Sequence, residues 1–228
     1  MKILSDLLYL FYPEICLCCK NQLTTNEKYV CIECRHDLPV TNFTNENNNL
    51  IEKIFYGREE VIDGTSLFYF LKKGKIQHLI HELKYNKQQQ VGEFIGNWLA
   101  DEIIESDRFK SIDCIIPVPL HKKKFRSRGY NQVTTFGKCL SLKLNIPFYE
   151  NILIKTSATK TQTKKNRFSR WKNAEHLFTL KNAELLEAKH ILLIDDIITT
   201  GATLESCAKT LKGAKNIKLS IATMAYTK

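Results

Sequence analysis

Residues 190–204, HILLIDDIITTGATL, restrict the fold more than any other stretch. Ile191, Leu192, Leu193 and Ile194 form an unbroken apolar run, which suits a strand buried on both faces of a parallel sheet. Asp195 and Asp196 come next, followed by Ile197, Ile198 and the polar run Thr199, Thr200, Gly201, Ala202 and Thr203. Leu204, Cys207, Ala208 and Leu211 then recur at helical spacing and stop at Gly213, the expected C-terminal cap. The pattern predicts strand, turn and helix, and hence an α/β fold with a mostly parallel sheet flanked by helices.

The turn would offer backbone N–H groups and threonine hydroxyls at a helix N-terminus, where anions are favoured. Two adjacent carboxylates at a strand end repel, so they suit a place where hydroxyls or a cation stabilise both charges. An anion loop beside such acids describes a site for a sugar phosphate. The plain alternative is a pair of solvated aspartates before an ordinary helix. A nucleotidase phosphate loop would need a Gly-Lys-Ser/Thr ending, and the sequence has none. A receiver domain would carry its acids on an early strand, whereas only about one strand's length of chain follows here.

These residues resemble the phosphoribosyl-diphosphate (PRPP) signature of type I phosphoribosyltransferases. The resemblance implies that Asp195 and Asp196 hold the ribose hydroxyls, with Mg²⁺ accompanying PRPP. It also implies that Thr199, Thr200, Gly201, Ala202 and Thr203 hold the 5′-phosphate.

Cysteine usage adds a second part. Cys16-x₂-Cys19 and Cys31-x₂-Cys34 are two pairs separated by eleven residues, the pattern of a structural tetrahedral Zn²⁺ site. Cys18 and His36 compete for a place in it. Cys114, Cys139 and Cys207 stand alone and read as small buried hydrophobes. A first domain is expected over residues 1–44, an N-terminal helix and the zinc knuckle. Residues 41–49 (TNFTNENNN) read as a linker, and a second domain is expected over 50–228. On that reading chelation would unfold the knuckle alone. Residues 1–12 fit a short amphipathic helix, and Asp6 argues against a signal peptide. No apolar run reaches the length of a membrane span, so a cytoplasmic protein is expected.

The positive charge is concentrated. Residues 121–172 hold fourteen Lys and Arg against one acid, Glu150, while the whole chain carries a net +10. The remainder is therefore slightly acidic, and the basic segment points to an anionic partner. A solubilising face is the plain alternative. Phe125, Tyr130, Phe168 and Trp171 are interleaved with the cations, as in sequence-tolerant single-strand binding.

Two further motifs narrow the resemblance. Ile116-Pro117-Val118-Pro119-Leu120-His121 with Arg128-Gly129-Tyr130-Asn131-Gln132, and then Thr159, Gln162, Arg170 and Asn173, are similar to the ComF family, as is the four-cysteine knuckle. That family is linked to DNA uptake. The resemblance implies a basic loop facing diphosphate (His121, Lys124, Arg128, Gly129, Asn131, Gln132) and a flexible segment (Lys155, Thr159, Gln162, Arg170, Asn173). Lys124 and Lys155 stand where the family usually has arginine, and they keep charge without bidentate geometry. The expected partners are PRPP or a related sugar phosphate, single-stranded DNA and DNA-uptake proteins. An active phosphoribosyltransferase with an unknown acceptor is the alternative function. No residue stands out as an activator of the acceptor.

Overall fold

The computed structural model describes residues 13–156 and 177–227. Helices α1 (Ile32–His36) and α2 (Leu50–Phe55) precede strand β1 (Gly64–Tyr69). Helices α3 (Lys75–Tyr85) and α4 (Gln90–Glu105), strand β2 (Cys114–Pro117), and helices α5 (Lys122–Arg128) and α6 (Val133–Leu144) follow. Strands β3 (Leu153–Lys155), β4 (Phe178–Leu180) and β5 (His190–Ile198), helix α7 (Ala202–Leu211) and strand β6 (Lys218–Tyr226) come last among the described residues.

The main sheet runs β1-β6-β5-β2 with every pairing parallel. As a central strand, β5 has apolar residues facing both layers, which explains its unbroken apolar run. Leu192 and Ile194 pack towards α3, α4 and α6, while Ile191 and Leu193 pack towards α2 and α7. Both sheet edges are covered. Thr41 N–H donates to Leu67 O at 3.0 Å on the β1 side, and Tyr149 N–H donates to Ile115 O at 2.9 Å on the β2 side. Exposed ladder groups that would pair with another chain are thereby satisfied. On one face α4 and α6 approach closely because Gly96 has no side chain; a Cβ there would lie 2.9 Å from Cys139 Cβ and from Phe136 O.

Residues 41–49 are not a linker. Asn49 caps α2 through Oδ1, accepting from Ile51 N and Glu52 N at 2.9 and 3.3 Å, while its amide donates to Phe43 O and Gly64 O. Arg108 reaches back to the Phe43, Thr44 and Glu46 carbonyls and pairs with Glu52 and Asp63. Asn49 looks like linker composition but here supplies hydrogen bonds. The knuckle likewise lacks a core of its own. Leu17, Leu23, Val30 and Leu38 lie in one apolar cluster with Phe68, Leu79 and Leu83. Glu93 on α4 accepts from Tyr29 Oη at 2.8 Å and Lys28 Nζ at 3.0 Å, and the Arg35 guanidinium lies 4.7 Å from the Trp98 ring.

The stretch from His121 to Gly129 forms a helix where a loop is expected. His121 caps α5 by accepting from Lys123 N at 3.2 Å, and Gly129 ends it at φ 82°. Because α5 buries no residue, its sequence KKKFRSR carries no apolar period to announce it. Residues 1–12 and the positions Thr159, Gln162, Arg170 and Asn173, with Phe168 and Trp171, lie outside the described residues. Among the described residues, no helix is long and apolar enough to cross a membrane.

Candidate functional site

The cysteine cluster is assembled as the spacing predicts. The sulfurs of Cys16, Cys19, Cys31 and Cys34 all lie within 4.8 Å of one another, and Cys19 and Cys31 are 3.8 Å apart. Thiolates about 2.3 Å from a tetrahedral Zn²⁺ stand roughly 3.8 Å apart, so the donor set fits that ion. Backbone N–H groups supply the second layer: Cys18 N and Cys31 N donate to Cys16 Sγ, and Cys34 N donates to Cys31 Sγ. Burial alone would raise the Cys16 thiol, but the backbone hydrogen bonds from Cys19, Cys31 and Cys18 outweigh it and bring it down to about 6. Cys18 stays outside the cluster, and burial pushes it up to about 12. His36 is also outside, with its side chain 90% exposed beside Asp37.

A second site lies at the carboxyl rim of the sheet, the usual location for ligands in open parallel sheets. Strand β5 runs past the end of β2, whose Pro117 pairs with Ile194, so Asp195 and Asp196 belong to the strand rather than to a loop. Alternation sends their side chains to opposite faces. Asp196 is buried, accepts from Gln132 Nε2 at 2.5 Å and pairs with Lys84 Nζ at 2.9 Å. Asp195 is partly exposed; burial and then the neighbouring Asp196 charge raise its carboxyl to about 8. Lys155 approaches from β3, and burial pushes its ammonium below its ordinary value; Cys207 and Asp195 oppose that fall, while the Lys124 charge adds to it.

Asp195 predicts a pH dependence. Its folded value lies above the unfolded value of 3.8, so between the two the folded state holds a proton that the unfolded chain has lost. Stability should therefore fall as pH rises from about 4 towards 8, by on the order of 1–3 kcal/mol after allowing for solvent at the rim. Urea midpoints at pH 5, 6.5 and 8 check this, because the Asp195→Asn variant should lose that part of the slope.

The loop after β5 is short. Thr199 and Thr200 are exposed, Gly201 caps α7 at φ 73°, and Ala202 and Thr203 open the helix outward. A Cβ at Gly201 would meet Ile54 Cγ2 at 2.6 Å, so both the backbone conformation and the close packing of α2 require glycine. A cavity of about 60 Å³ lies between Asp195 and residues 197–204. Arg58 donates from Nη1 to the Thr200 carbonyl at 2.9 Å and pairs through Nη2 with Glu205, which ties the loop from outside.

The basic loop residues divide into two groups. Asn131 is committed to the backbone, donating to Val118 O at 3.1 Å, and Gln132 is committed to Asp196 and to Arg128, whose Nη1 donates to Gln132 Oε1 at 2.8 Å. Lys124 is exposed, while His121 and Arg128 are partly exposed. Lys155 ends β3 and pairs with Phe178 across the two-stranded ribbon of β3 and β4. Sequence reasoning missed Lys84 and Arg58. Both lie far from the motif in sequence, at separations that only the fold closes; Lys84 stands in the last turn of an amphipathic helix, where a lysine is ordinary.

A parallel sheet with a threonine-glycine loop at the N-terminus of α7, and acids on the strand before it, defines a phosphoribosyltransferase-like domain. Residues 134–228 match the phosphoribosyl transferase domain family. Competence protein F of Haemophilus influenzae (strain Rd) is 34% identical over 140 residues, 59% of this chain and 60% of that protein. The DNA utilization protein YhgH of Escherichia coli O157:H7 is 28% identical over 146 residues, 62% of this chain and 63% of that one. The match thus spans less than two thirds of the length of these relatives. Adenine phosphoribosyltransferase from Leishmania tarentolae superposes with a TM-score of 0.38 at 12% identity, over 62% of this chain and 73% of that one. The chain is thus similar to competence protein F and to YhgH, and its residues 134–228 carry the likeness to the phosphoribosyl transferase domain family.

Proposed function

We propose that this protein binds PRPP, or a related sugar phosphate, at the carboxyl rim and handles single-stranded DNA during DNA uptake in the cytoplasm. The observation that carries the reading is the link between an anion loop with ribose-type acids and an exposed basic helix, through Arg128, Gln132 and Asp196. Asp195 and Asp196 would face the ribose hydroxyls, and residues 199–203 would take the 5′-phosphate. His121, Lys124 and Arg128 would lie toward diphosphate, with Gly129 leaving room beside them. Mg²⁺ would arrive as the counter-ion of PRPP, neutralising diphosphate. The cysteine cluster would hold one structural Zn²⁺.

The DNA part rests on charge. A magnesium-bound sugar phosphate needs only a few cations, whereas Lys122, Lys123, Lys124 and Arg126 are all exposed along α5. Changing Lys122, Lys123 and Lys124 to alanine should lower the log–log salt slope of single-strand binding by roughly two units if all three touch phosphate. Fluorescence anisotropy at several salt concentrations reads this. The wider test titrates PRPP and single-stranded DNA, each with and without the other. Failure of PRPP to bind overturns the sugar-phosphate reading, and failure of DNA to bind overturns the other.

The presence of both acids and an intact loop also favours a second reading, an active transferase. A nucleophile would then form a bond to C1 of the ribose as the C1–oxygen bond breaks and diphosphate leaves with the electron pair. Lys124, Lys155 and Arg128 would stabilise the departing charge. Diphosphate release in the presence of candidate acceptors tests it.

A further inference from the structure

The last turn of α3 carries more than Lys84. Tyr85, the next residue, is 63% exposed, yet it is not an isolated surface aromatic. The His81 ring lies 4.8 Å away, one turn back on the helix, and the Arg128 guanidinium lies 5.3 Å from the Tyr85 centroid. Arg128 is itself held by Gln132, which is buried against Asp196. Ring and guanidinium are therefore placed in advance, so a ligand would not have to order them.

The surroundings indicate what would use such a surface. Helix α5, whose last residue is Arg128, is lined with exposed cations and carries Phe125 at 48% exposure. Residues 121–149 contain no acid at all. A cationic track beside an exposed aromatic suits a chain that alternates phosphate with flat π-faces. An acidic peptide would match the charge but would leave the ring unused.

We propose that Tyr85, flanked by His81 and Arg128, is a stacking platform for a base of single-stranded nucleic acid whose phosphates follow α5. This rests on the DNA-handling reading above and deepens it by naming where a base sits, next to the sugar-phosphate rim.

The test uses the full chain, with an oligothymidylate and an abasic oligonucleotide of equal length, titrated by anisotropy at several salt concentrations. Wild type should prefer the oligonucleotide that carries bases. Tyr85→Leu should weaken binding of that oligonucleotide about 5- to 100-fold, with abasic binding and salt slope unchanged. Tyr85→Phe should keep the preference. Matching thermal midpoints confirm that the exposed substitution leaves the fold intact. If Tyr85→Leu retains the full preference for bases, the platform is wrong and the DNA reading stands. If wild type binds neither oligonucleotide, both are overturned.

Discussion

Stripping the metal from the cysteine cluster should destabilise the whole described body, not the knuckle alone. Thiolate sites contribute roughly 10–16 kcal/mol of binding free energy in isolated zinc fingers, and that free energy is folding free energy. Here the knuckle's Leu17, Leu23, Val30 and Leu38 share one apolar cluster with α3, α4 and β1. Losing the metal frees these side chains and uncovers their neighbours, at about 1.5–3 kcal/mol for each fully exposed. A loss on the order of 5 kcal/mol is expected, with the large domain and the knuckle melting in one transition. Elemental analysis should give one Zn²⁺ per chain. Urea denaturation with and without a chelator, and of Cys34→Ser, then measures the loss. Metal-free protein that unfolds at the original midpoint would defeat the prediction.

The second large effect concerns Asp195 and Asp196. Replacing both with asparagine should lower PRPP affinity on the order of 100-fold or more, since each charged hydrogen bond contributes roughly 1.5–3 kcal/mol. The single variants should differ in stability. Asp196→Asn leaves Lys84 without its counter-charge and alters the Gln132 contact, so it should cost about 1–3 kcal/mol. Asp195→Asn removes a carboxylate that its surroundings disfavour, and should be neutral or stabilising near pH 8. Calorimetry with Mg²⁺ and PRPP, paired with thermal melts, separates the two effects. Equal affinity in wild type and the double variant would show that the sugar phosphate binds elsewhere.

The cysteine cluster and the β5–loop–α7 unit were legible in the sequence because each is local. Two Cys-x₂-Cys pairs carry their own spacing, and an apolar strand, a polar turn and a helical period fall within residues 190–211. Helix α6 is legible for the same reason, since Val133, Phe136, Leu140 and Leu144 recur at helical spacing up to Asn145, which ends the helix in the left-handed conformation. What lacks an apolar period did not announce itself. Helix α5 buries no residue, and Asn49 bonds to backbone instead of solvating a linker.

The site's partners were decided by tertiary structure alone. Lys84 and Arg58 reach the rim from stretches separated from the motif by about 110 to 140 residues of chain, and each is an ordinary surface cation by composition. Sequence patterns record the faces that each element must bury, because burial imposes a period. They do not record which exposed side chain a strand order brings beside an acid, because one charged residue at a helix end has no period to leave.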